Sequence, residues 1–204
     1  MAIMATDTGG GGDFSPMPQG NHVAVCNMVV DLGKQRIEYQ GEAKVQHKVF
    51  IRWETPHERL SWTDRDGQER EGPRVIGKTY TLSLHENAAL RGDLENWRGR
   101  AFTEDERKGF DISKLLGAAC MVNVIHETKG PKTYANVKGL GSLPKGMEKP
   151  QSEIGLLLYD DEHLGNFEKL PEWLQKKVDE QVQDGPPANN GGSFADDLDD
   201  DIPF

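Results

Sequence analysis

From Val45 to Trp53 the chain alternates without a break, with Val45, His47, Val49, Ile51 and Trp53 on one side and Gln46, Lys48, Phe50 and Arg52 on the other. Successive side chains of a strand point to opposite faces, whereas a helix would scatter these residues around its axis. The pattern predicts a strand with one face in a core, and such a strand needs partners. His22 to Val30 is apolar at nearly every position, as expected of a central strand buried on both faces, with Asp31-Leu-Gly33 ending it. Arg74 to His85 places Ile76, Tyr80, Leu82 and Leu84 on one face together with Lys78. Ala118 to His126 and Thr133 to Leu140 read as a fourth and a fifth strand, joined by the basic turn Lys129-Gly-Pro-Lys132.

Between the third and fourth strands the signals become helical. Glu86 to Trp97 has an apolar side (Ala88, Ala89, Leu90, Leu94) and Gly99 to stop it; Thr103-Glu-Asp-Glu106 is a capping box; Asp111 to Gly117 reads as a short helix closed by glycine. Glu54 to Gly72 reads as a long charged loop carrying Trp62 and an Asp66-Gly67 turn. Three strands, a helical segment and two strands is the order of the five-stranded Greek-key barrel called the OB fold, which binds oligonucleotides on strands two and three and on its first and fourth loops. The expected class is therefore mainly β: an OB barrel with a helical insertion between strands three and four. Beyond it, Ile154 to Tyr159 could add a strand. Leu170 starts a C-terminal helix with Pro171 in its first turn and a stripe of Leu174, Val178 and Val182.

Charge divides the chain. Residues 20 to 149 hold 21 Lys and Arg against 18 Asp and Glu, while residues 150 to 183 carry a net −5 and residues 184 to 204 a net −6. A total of −10 thus conceals a mildly basic body with acidic ends. The organisation read from this is a flexible leader (1–20, with Gly9 to Gly12), one domain with a helical extension (21–183), and a disordered linker and acidic tail (184–204).

On the expected binding face, cations interleave with aromatics, the pattern by which a sheet holds phosphates and stacks bases of a single strand. Lys48, Phe50 and Arg52 on the second strand, Trp62 in the loop, Arg74, Lys78 and Tyr80 on the third strand, and Lys132, Tyr134 and Lys138 near the fourth loop are the candidate contacts. Trp53 falls on the core side. The last nine residues then add a different kind of site. Asp196, Asp197, Asp199, Asp200 and Asp201 repel one another, and Ile202, Pro203 and Phe204 end that acidic leash in a stiff apolar plug with a terminal carboxylate. This is the form of a docking peptide.

Asp199-Asp-Asp-Ile-Pro-Phe204 resembles the C-terminal tip of bacterial single-stranded DNA-binding proteins. The resemblance covers six to nine residues. It implies a single-stranded DNA-binding protein of the bacterial cytoplasm that recruits replication, recombination and repair enzymes through Asp199, Asp200, Asp201, Ile202, Pro203 and Phe204. The body departs from that family in its long helical segment and acidic C-terminal helix, and looks more like a phage-encoded analogue carrying a host-type tip. No cofactor or membrane partner is expected; a homo-oligomer is possible.

Other readings carry less. Gly72-Pro-Arg-Val-Ile-Gly-Lys-Thr79 satisfies the phosphate-loop string, but a phosphate loop follows a strand and opens a helix. Here a polar loop precedes it and an alternating strand follows, so an ATPase is a remote alternative. The six histidines and Cys26 and Cys120 have no metal-ligand spacing, and no catalytic constellation is evident. The principal alternative is an adaptor without DNA affinity that engages replication proteins through the tip.

Overall fold

The computed structural model describes residues 15–39, 41–64 and 66–182. Strands β1 (Gly20–Tyr39), β2 (Glu42–Thr63) and β3 (Glu69–Thr81) come first, followed by helices α1 (Ala89–Arg98) and α2 (Glu104–Lys108) and a 3-10 turn, Ile112–Leu115. Strands β4 (Ala119–Lys129) and β5 (Lys132–Gly141) complete the set, in the order β3-β2-β1-β4-β5 with all neighbours antiparallel. β3 also approaches β5 across the remaining gap. The result is a nearly closed, mainly β, OB-like barrel with its helices between β3 and β4.

Several sequence signals form what they encode. Gly99 ends α1 at φ +68°, where only glycine is unstrained, and its N–H reaches back to the Asn96 and Glu95 carbonyls. Thr103 and Glu106 exchange both hydrogen bonds of a capping box at the start of α2. β1 is central, between β2 and β4, which is why both its faces are apolar: Ala24, Cys26 and Val29 enter the barrel, while Met28, Val30 and Leu32 face outward under another layer. Trp53 is fully buried in the barrel and meets Trp97 of α1 edge to face at 6.2 Å.

Two strands run further than the sequence signals suggested. Gly33 does not end β1. Its positive φ (+66°) and the bond from its N–H to Asp31 Oδ1 (2.8 Å) build a register shift, and the strand continues into a polar two-stranded arm with β2. Nor is Glu54 to Gly72 a loop. Arg59 to Thr63 pair with Glu69 to Pro73, and Asp64 closes the hairpin by accepting the N–H groups of Asp66 and Gln68. Cross-strand pairing needs alternating side chains of either polarity, so an exposed charged stretch can be strand.

The leader is not wholly apart from the fold. Met17 is buried in the barrel core, and His126 Nε2 bonds its carbonyl at 2.7 Å. At the other end, residues 142 to 182 form a strap. Its strand β6 (Leu157–Tyr159) pairs parallel with Met28–Val30, a 3-10 turn spans Leu164–Lys169, and helix α3 (Glu172–Asp179) follows Pro171. Leu170, Leu174 and Val178 close a second core over Met28, Val30, Leu32 and Phe50. α3 stops before Val182, which instead donates its N–H to the Lys34 carbonyl of β1 (2.7 Å). The linker and tail, with Asp199, Asp200, Asp201, Ile202, Pro203 and Phe204, lie outside the described residues.

Candidate nucleic-acid interface

Alternation along β2 does send Lys48, Phe50 and Arg52 away from the barrel interior, but at Lys48 and Phe50 that side is not open to a ligand. Phe50 is 2% exposed. Its ring lies over Gly77 of β3, where any side chain would collide with it, and meets Trp173 of α3 edge to face at 5.0 Å. The expectation that Phe50 stacks a base is therefore corrected: it is the aromatic centre of the second core. Lys48 is buried beside it, with Nζ donating to Thr81 Oγ1 at 3.1 Å.

On β3, Lys78 and Tyr80 are inward residues. Tyr80 is buried and donates to Asp93 Oδ2 of α1 (2.7 Å), and Lys78 Nζ pairs with the same oxygen at 3.3 Å, 5.1 Å from the Tyr80 ring centre. Burial and then the neighbouring Asp93 charge push the Tyr80 phenol well above its ordinary range. A carboxylate at the seam between β3 and β5 thus holds both side chains to the helix and removes them from the outer surface. Arg74 has a structural task as well, donating from its two terminal nitrogens to the carbonyl and hydroxyl of Ser15 (2.7 and 2.9 Å), so that it pins the leader.

The exposed candidates lie on two hairpins. Each of β2 and β4 runs antiparallel to β1, and both leave the barrel past the N-terminal end of β1, so the β2–β3 and β4–β5 hairpins project from that same end. Trp62, 44% exposed, sits opposite Arg70 on the first of them. Its ring rests on the backbone of Gly72: a Cβ there would fall 3.1 and 3.3 Å from two of its carbons. The indole is therefore braced against β3 while much of the side chain is in solvent, which leaves ring surface open for stacking. Arg70 is held by Asp64 Oδ2 at 2.8 Å. On the second hairpin Lys132 and Lys138 are exposed and Tyr134 half-exposed; the register of β5 shifts between Val137 and Gly139, at Lys138.

Arg52 differs from all of these. It is half-buried on the outer side of β2, and its Nε donates to Asn27 Oδ1 at 3.0 Å. Asn27 in turn donates to Glu54 Oε2 (3.2 Å), and both Asn27 and Glu54 are fully buried. Neither was a sequence candidate. Glu54 lies directly after an apolar strand, so its charge looked like the strand's end.

Near the register shift in the middle of β1, Asp31 and His47 form a pair at 2.6 Å. The hydrogen bond to Asp31 is the main cause raising the His47 imidazole above its ordinary value. Burial acts to raise the Asp31 carboxyl, but the bonds from His47 and from the Gly33 N–H outweigh it and hold it low. A raised histidine contributes stability that is complete below about pH 6.5 and is lost as pH rises through its folded value; a lowered aspartate contributes above about pH 4 and loses it in acid. The pair therefore stabilises most between about pH 4 and 6.5. Because the His47 side chain is 42% exposed, the contribution is about 1 kcal/mol or less and screened by salt. Thermal melts should show wild type exceeding His47→Gln by more at pH 5.5 than at pH 8.5; an equal gap at both would contradict the pairing. Asp31 also lines a cavity of about 410 Å³, together with Val29, Val49, Leu90, Phe110 and Tyr159 among others.

No protein-family model matches the chain, and no curated protein matches it at a significant level. Among the described residues no helix is long and apolar enough to cross a membrane.

Proposed function

We propose that this protein binds single-stranded DNA on its OB-like barrel during replication, recombination and repair, and recruits the enzymes of those processes through its C-terminal tip. The observation that carries the binding half is Trp62, an exposed indole backed by Gly72 on a hairpin of a barrel whose strand order is that of oligonucleotide-binding folds. Lys132, Tyr134 and Lys138 on the β4–β5 hairpin, which leaves the barrel past the same end of β1, extend that surface with two cations and a second ring. The recruiting half rests on the sequence Asp199-Asp-Asp-Ile-Pro-Phe204 alone. The cellular setting that goes with both is the cytoplasm of a bacterium, the gene being phage-borne or bacterial.

Stacking one base contributes about 1 to 3 kcal/mol, so Trp62→Ala should weaken binding of a labelled oligo-dT by about 5- to 150-fold while leaving the thermal midpoint near that of wild type. An indole that stacks bases should also lose fluorescence on titration with the oligonucleotide. Unchanged affinity in the folded variant would remove the platform from the interface.

One observation favours the second reading, an adaptor that engages replication proteins without touching DNA. The β2 face is closed by α3, with Phe50 and Lys48 buried beneath it. Absence of oligonucleotide binding at low salt would select that reading.

A further inference from the structure

Arg52 is a guanidinium held at one end. Its Nε donates to Asn27 Oδ1, and among the described residues its terminal nitrogens make no hydrogen bond. Asn27 is fixed by Glu54, and Glu54 is fixed by the strap: Ser152 Oγ donates to Oε2 at 2.5 Å, the Glu153 N–H to Oε1 at 2.7 Å and the Ile154 N–H to Oε2 at 3.3 Å. A wholly buried carboxylate is thus saturated by one side-chain amide, one hydroxyl and two backbone donors. Stability alone does not call for this set, since apolar residues of equal volume are often as stable as a buried charged network. What the network does achieve is orientation. The side chain is anchored at Nε and partly desolvated, while its terminal nitrogens are not among the fully buried unpaired atoms; burial is the main cause lowering the Arg52 pKa.

A planar fork whose terminal N–H edge is free, beside a carboxylate that is already saturated, suits an oxyanion, and on a single-strand interface that oxyanion is a backbone phosphate. We infer that Arg52 is a pre-oriented phosphate seat on the barrel, and that Asn27, Glu54 and the strap segment 152–155 are its positioning residues. The inference rests on the single-strand reading above, and takes the phosphate to be one of the nucleic-acid backbone. It also assigns the strap a role beyond covering the β1–β2 face: the chain after the barrel fixes the angle of a binding residue within it.

The test is anisotropy of a fluorescent oligo-dT of about 30 nucleotides against wild type, Arg52→Gln, Arg52→Lys and Ser152→Ala, across a salt series. Each phosphate neutralised contributes about 0.7 to the slope of log affinity against log salt for a single strand. Arg52→Gln should lower that slope by about 0.7 and the affinity about tenfold. Arg52→Lys should restore the slope but not the affinity, because an ammonium lacks the fork. Ser152→Ala should lower affinity at an unchanged slope and have no further effect on affinity in the Arg52→Gln background, a non-additivity that general loosening of the fold does not produce. Wild type that fails to bind at low salt overturns the single-strand reading and this seat with it. Wild type that binds while Arg52→Gln keeps its slope overturns the seat alone. So does Arg52→Lys binding as tightly as wild type, which also decides the matter if the Gln variant fails to fold. Inorganic phosphate at matched ionic strength should leave the melting midpoint of wild type and Arg52→Gln equally placed; a shift confined to wild type would reassign the site to a free anion.

Discussion

Replacing Phe50 by alanine should cost about 3 to 5 kcal/mol of folding stability, the loss measured when a buried aromatic is deleted and its cavity only partly closes. The ring is held on three sides, by Gly77 beneath it, Trp173 edge-on, and Met28, Val30 and Leu174 of the same cluster. None of these can collapse into the space without breaking the parallel pairing of β6 or moving α3. Chemical denaturation measures the loss. The informative comparison is with DNA affinity, which in the folded fraction should change little. A variant that stays stable and instead loses oligonucleotide binding would mean that the β2 face is open and that α3 does not cover it.

The second large effect concerns Glu54. Glu54→Ala removes the acceptor for Asn27, Ser152 and two backbone N–H groups at once and leaves Arg52 without its nearest carboxylate. Breaking a buried charged network by deleting one member costs about 3 to 5 kcal/mol, because the partners remain desolvated and unpaired. The damage should be local first. Hydrogen exchange should rise in residues 152–159, where the strap is tied to Glu54 and β1, before it rises in the barrel strands. Glu54→Gln keeps an acceptor oxygen and should cost less. Equal stability of wild type and the alanine variant would show that the strap is held by its apolar contacts alone.

These two residues also mark how far the sequence could be read. The alternation from Val45 to Trp53 correctly separates an inner from an outer side of β2, since the pleat fixes that by geometry. Whether the outer side meets water is decided elsewhere, by Leu170, Leu174 and Val178 more than a hundred positions later. The stripe of α3 was legible; the surface it would seek was not. Tyr80 and Lys78 are the same case on the neighbouring strand β3. Their alternation assigned them correctly to one face with Ile76, and only the placement of Asp93 on α1 reveals that this face is closed and that their polar ends are consumed. Local signals with local causes, the capping box at Thr103 and the left-handed Gly99, were fully legible. Gly33 and Glu54 misled for a shared reason. A glycine after an aspartate and a charge after an apolar run usually end strands, yet here one is taken up by a register shift and the other by buried donors. Trp62 stood out by composition, but its support by Gly72 depends on a pairing register that no spacing discloses.

The central claim is a single-strand interface on this barrel, and the measurement that tests it most directly is anisotropy of a labelled oligo-dT of about 30 nucleotides against a duplex of equal length, from low to high salt. The account predicts tight binding to the single strand that weakens as salt rises, in proportion to the phosphates neutralised, and little binding to the duplex at physiological salt. Equal affinity for both forms, or none for either in folded protein with and without residues 196 to 204, would contradict it.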